Sequence, residues 1–110
     1  MREEDILRWK QMSFMEQMAN IGSEVYRAGN WKSKNNYAYA EKAFERALEL
    51  IDITAECSLR SSALRELMRA REFFCMLFFE DTENSFDGIN KYFRYFALGL
   101  KRGKLNPDIS

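Results

Sequence analysis

The apolar positions of this chain fall into four series at alternating spacings of three and four, the period of an amphipathic helix. Phe14, Met18, Ile21, Val25 and Ala28 form the first. Tyr37, Ala40, Phe44, Ala47 and Ile51 form the second, widened by Ala43 and Leu48. Ala63, Leu67, Ala70, Phe74 and Leu77 form the third, flanked by Leu64, Met68 and Phe78. Phe86, Ile89, Phe93, Phe96 and Leu100 form the fourth. The pattern predicts helices over 13–28, 34–55, 60–80 and 85–102. Ser13 followed by Glu16 is a capping box, and Gly29-Asn30 is a C-terminal stop signal. Ser58, Ser61 or Ser62 suits the start of the third helix and Asn84 or Ser85 that of the fourth, which Gly103 can end. The lone proline is Pro107, so no earlier position is denied a helix by a missing N–H. Residues 3–11, with Ile6, Leu7 and Trp9, suit a short extra helix that breaks before the cap at Ser13.

Residues 73–79 read Phe-Phe-Cys-Met-Leu-Phe-Phe, an apolar run that would cover the whole circumference of a helix. A buried strand is the competing reading. It loses because the third series runs unbroken into the segment from Ala63, and no second β-rich run stands ready to pair with it. As the end of the third helix, the run gives Phe74, Leu77 and Phe78 to the core. Phe73, Met76 and Phe79 fall off the main stripe and need a second cover, from the N-terminal segment or from another subunit. The links near 29–33, 56–59 and 81–84 are short, which implies antiparallel neighbours. The expected fold class is therefore all-α: an antiparallel up-down-up-down four-helix bundle over 13–103, with an N-terminal arm or short helix over 1–12 and a flexible tail over 104–110.

At 110 residues the chain has the size of one domain, able to bury a core without a disulfide or metal staple. Its 17 basic and 17 acidic residues cancel, so no global field favours nucleic acid or an anionic membrane. No stretch approaches a membrane span, and Met1–Asp5 carry no apolar run of signal-peptide length. With only Cys57 and Cys75, both read as reduced thiols, the expected location is the cytoplasm.

The absence of histidine removes the Ser-His-Asp and Cys-His relays and the Glu-x-x-His di-iron pattern. Glu41, Glu45 and Glu49 align on one helix face, but Lys42, Arg46 and Asp52 surround them and a solvated face is the plainer reading. No catalytic residue, metal site or cofactor is expected, and no enzyme. Arg65, Arg69 and Arg71 on the third helix are the candidate contacts to a ligand or nucleic acid, although Glu66, Glu72 and Asp87 dilute their charge. Arg71 lies at the edge of an apolar face and calls for a partner, with Glu24, Glu45 or Asp52 in reach. Gly22 and Gly99, inside predicted helices, each admit a large neighbour such as Phe or Trp. The series Gly88, Tyr92, Tyr95, Gly99 forms a second, aromatic and small face on the fourth helix, suited to an interface or shallow groove.

The run Tyr39-Ala-Glu-Lys-Ala-Phe-Glu-Arg-Ala-Leu-Glu-Leu50 resembles the second helix of a tetratricopeptide repeat, over about one helix and with no second repeat following. The order of a helix, the Gly29-Asn30-Trp31 turn and an Ala- and Tyr-rich helix resembles the HEPN proteins, small helical bundles of prokaryotes. Catalytic HEPN members are ribonucleases with an Arg-x4-6-His motif, which a chain without histidine does not carry. The resemblance implies fold and dimerisation, not RNA cleavage.

The function expected from the residues is self-association, a homodimer first and an unknown protein partner second, through Leu7, Trp9, Phe73, Met76, Phe79, Tyr92 and Tyr95. The alternative is a nucleotide- or RNA-binding accessory without nuclease activity; nucleic acid is the less favoured partner, and no membrane is expected.

Overall fold

Five helices carry the residues that this computed structural model describes, 2–57, 59–80 and 86–103. They are α1 (Glu3–Gln11), α2 (Phe14–Ser33), α3 (Tyr37–Ala55), α4 (Ser61–Phe79) and α5 (Asp87–Gly103). Among the described residues there is no strand. The expected caps Ser58, Asn84 and Ser85, the 81–84 link and the 104–110 tail lie outside the described residues.

The capping box at Ser13 forms as its spacing predicts. The Glu16 N–H donates to Ser13 Oγ at 3.1 Å, and the Ser13 N–H donates to Glu16 Oε1 at 3.3 Å. The expected stop at Gly29-Asn30 does not form, and α2 runs on to Ser33. Gly29 serves a different purpose: a Cβ there would lie 2.7 Å from Cγ of Phe86, so the missing side chain lets that ring rest on the α2 backbone. The reversal comes at Asn35, whose φ of 59° is left-handed, a conformation asparagine tolerates better than most residues. Asn36 then caps α3, its side chain accepting from the Tyr39 N–H at 3.3 Å. The Gly29-Asn30-Trp31 turn of the sequence reading is thus the last part of a helix, where Trp31 meets Tyr39 edge-on at 5.0 Å. Neither Ser61 nor Ser62 caps α4. Arg60 holds the N-cap position without a side-chain bond.

The core forms where the four series converge. Met18, Ile21, Val25, Ile51, Leu67, Phe74, Ile89 and Phe93 are sealed from solvent, each contributing about 1.5–3 kcal/mol by burial. Not every member of the series is sealed: Tyr37 is 60% exposed, and Phe14, Ala63, Phe86 and Phe96 are partly buried, Phe14 edge-on to Phe96. α2 is the central helix, packed most broadly on α3, then on α5, and touching α4. Gly22 of α2 faces Phe93 of α5, and Gly29 faces Phe86. Gly99 admits Met15, not the expected aromatic ring. Phe44 of α3 meets Phe74 and Phe78 of α4, while Asp52 meets Arg71. Phe74 also meets Phe86, and Glu66 meets Tyr92. The radius of gyration, 14.2 Å, is near the ~13 Å of a compact domain of this length.

Residues 3–11 are helical, and Trp9 docks them on their own chain. Its indole N–H donates to Thr54 Oγ1 at 2.9 Å, and Gln17 Nε2 donates to the Trp9 carbonyl at 2.9 Å. Among the described residues no helix is long and apolar enough to cross a membrane.

Candidate interaction surface

α4 turns Leu67, Ala70, Phe74 and Leu77 inward. A helix repeats every 3.6 residues, so the side chains out of phase with this stripe face away from the core. Arg65, Arg69, Glu72 and Glu80 do so, as polar residues should. Phe73, Met76 and Phe79 do so as well, and are 42%, 39% and 73% exposed. α1 does not cover them: Trp9 sits beside Thr54 at the end of α3, whereas Phe79 lies against Phe44 in its first half, ring centroids 5.1 Å apart.

The end of α4 is held firmly. Lys32 Nζ donates to the carbonyls of Leu77 (2.8 Å) and Glu80 (3.1 Å) and lies 5.7 Å from the centre of the Phe78 ring. A cation at a helix C-terminus satisfies carbonyls that lack an intrahelical partner and opposes the negative end of the helix dipole. Behind it, Phe78 stacks on Phe44 at 4.1 Å, the planes 7° apart.

Between α4 and α5 runs an apolar groove of about 300 Å³, bordered by Arg69, Phe73, Ile89 and Tyr92. It exists because these two helices meet only narrowly. Gly88 keeps one wall low; a Cβ there would meet nothing within 4 Å. Tyr92 closes one edge, its hydroxyl donating to Glu66 Oε1 at 2.9 Å. Burial first, then that hydrogen bond and the Glu66 charge, push the Tyr92 phenol well above its ordinary range.

The structure thus brings together Phe73, Tyr92 and Arg69 at one groove, with Met76 and Phe79 on the adjoining outer face of α4. Tyr95 is 68% exposed further along α5, edge-on to Phe96. The aromatic and small series of α5 divides: Gly88 and Tyr92 border the groove, while Gly99 is occupied by Met15. Leu7 is exposed on α1, and Trp9, only 7% exposed, is spent on the chain's own core. Arg65 and Arg69 reach solvent, but Arg71 is bound by Asp52, Nε to Oδ1 3.0 Å.

Sequence reasoning missed a second concave region, a polar cleft of about 660 Å³ beside α1, α2 and α3. At its wall Glu24, 8% exposed, pairs with Arg27 Nη1 at 2.6 Å and Arg46 Nε at 3.6 Å. The three-residue step from Glu24 to Arg27 was the signal for half of this pairing. Glu41 and Glu45 are exposed on α3, and among the described residues no group of three or more Cys, Asp or Glu is placed to hold a metal ion. Both thiols are free and partly buried. Burial raises the Cys75 pKa above its ordinary value, with Arg71 opposing and Asp52 adding to the shift.

Compared with protein-family models, with curated proteins and with solved structures, the chain finds no match.

Proposed function

We propose that α2–α5 form an antiparallel up-down-up-down four-helix bundle with α1 laid against the end of α3. We propose further that this protein acts without catalysis, in the cytoplasm, by associating with a second copy of itself. Residue pairings support the first part. Positions advance along α2 from Gly22 to Gly29 as their partners retreat along α5 from Phe93 to Phe86. The same reversal links Phe44 with Phe78 and Asp52 with Arg71 between α3 and α4.

The observation that carries the second part is the outward placement of Phe73, Met76 and Phe79 beside the α4–α5 groove. Contiguous exposed apolar side chains mark interaction sites, and two-fold packing of identical surfaces is the commonest way identical chains use them. The nucleic-acid reading has less support: Arg71 is engaged by Asp52, and Glu66 and Glu72 neighbour Arg65 and Arg69. Light scattering on the purified chain at micromolar concentration tests the choice. A mass near twice 13.1 kDa is expected. A monomer that binds RNA in a salt-sensitive manner, weakened by Arg65→Ala or Arg69→Ala, would overturn it.

A further inference from the structure

We infer that the second copy docks helix to helix, α4 antiparallel to α4, about a two-fold axis midway between Phe73 and Met76, so that Arg69 of each copy meets Glu80 of the other. This pairing rests on the self-association reading and goes further by fixing the direction and register of the interface.

Arg69, Phe73, Met76 and Glu80 follow one another at steps of four, three and four, which on a helix confines them to a strip about 60° wide. All four reach solvent. Glu80 keeps the helical register at the end of the strip, because its N–H donates to the Met76 carbonyl at 2.9 Å. Its own carbonyl is held by Lys32. The strip is self-complementary when reversed. The midpoint of positions 69 and 80 coincides with the midpoint of 73 and 76. At 1.5 Å of rise per residue, Phe73 and Met76 lie about 2 Å either side of the axis, and Arg69 and Glu80 about 8 Å either side. One two-fold operation therefore sets Phe73 against Met76 and a guanidinium against a carboxylate, twice. Parallel pairing in register would oppose Arg69 to Arg69 and Glu80 to Glu80, and like charges face to face are unfavourable. Apolar contact at the centre excludes water while the charged ends select direction, the usual division of labour in an interface.

The test is charge reversal read by sedimentation at low salt, where exposed pairs are least screened. Arg69→Glu alone should weaken dimerisation about tenfold, because both ends of the interface then oppose two carboxylates. Glu80→Arg alone should do the same with two guanidinium groups. The two variants mixed should form a heterodimer of near wild-type affinity, since every end again pairs opposite charges. Both substituted side chains, Arg69 and Glu80, sit on the surface, so circular dichroism should show unchanged helix content in each variant. Self-association by the wild type with no loss in either single variant, or with no recovery on mixing, overturns this pairing and leaves self-association standing. A wild type that stays monomeric overturns both.

Discussion

Gly22→Ala sets two effects of opposite sign against each other at one carbon atom. Alanine is favoured over glycine in a helix interior by about 1 kcal/mol, so propensity alone makes the substitution stabilising. The packing says otherwise. The new Cβ would sit 2.5 Å from Cβ of Phe93, about 0.9 Å short of the 3.4 Å at which ordinary van der Waals contact begins. No rotation of the Phe93 side chain moves its Cβ, so α5 itself must withdraw from α2. That withdrawal loosens the Phe86 ring over Gly29, whose tight approach depends on the same helix spacing. Overpacking of this kind costs about 1–3 kcal/mol, which offsets the propensity gain and leaves a net loss of up to about 2 kcal/mol. Gly88→Ala is the control. It too lies in a helix, but its Cβ meets nothing within 4 Å, and it should stabilise by about 0.4–1 kcal/mol. Urea unfolding followed by far-UV circular dichroism gives both values at one protein concentration. A rise in the Gly22→Ala midpoint would show that α2 and α5 do not approach as closely as the fold requires.

Two further outcomes follow from buried polar groups. Thr54→Val removes the acceptor for the Trp9 indole and should cost about 1–3 kcal/mol, because a buried N–H is left unpaired. Combined with Trp9→Phe, it should show a coupling of at least ~0.5 kcal/mol in a double-mutant cycle, and strict additivity would refute the bond. At high pH the folded chain keeps a proton on Tyr92 that the unfolded chain releases from about pH 10 upward. That contribution to stability is whole below pH 10 and is lost as the pH climbs above it. Tyr92→Phe should flatten the fall in urea midpoint above about pH 10, and parallel curves for variant and wild type would count against a phenol held protonated by burial and by Glu66.

The inward stripes were legible because period-3.6 spacing is a local property, and Leu67, Ala70, Phe74 and Leu77 all face the core as that spacing requires. Phe73, Met76 and Phe79 were legible for the complementary reason, as apolar residues out of phase with the stripe. Gly29 was misread because glycine has two uses that look alike in a sequence. It ends helices by taking a positive φ, and it admits a neighbour by lacking a Cβ. Only the position of Phe86, distant along the chain, decides between them. The Asn35-Asn36 pair carried the true boundary. Trp9 was ambiguous because a nine-residue helix gives too few turns to define a face, and its partner Thr54 belongs to another helix. Arg71 was correctly judged to need an acid, but three candidates were in reach, and geometry chose Asp52. The α4–α5 groove was legible only in part: Gly88 and Tyr92 marked one wall, but the opposite wall on α4 depends on the distance between two helices and not on either one.

The 73–79 run also explains why Lys32 sits where it does. An apolar, aromatic segment without proline or charge is the kind that pairs as a strand with other chains once its backbone is released. In α4 its N–H groups are tied into the helix, and the vulnerable point is the C-terminal end, where helices fray. Lys32 reaches across from α2 to bind the Leu77 and Glu80 carbonyls while its charge rests near Phe78. One side chain therefore closes the helix end and couples it to the central helix. The inner face of the run is then sealed by Phe44 and Phe86, and the backbone by the helix and Lys32. What remains open is an apolar strip with charged ends, Arg69 and Glu80, on a helix whose backbone is held at its C-terminal end. In the self-association we propose, a helix backbone already held in place lowers the ordering cost, so that a strip of modest area would suffice as an interface.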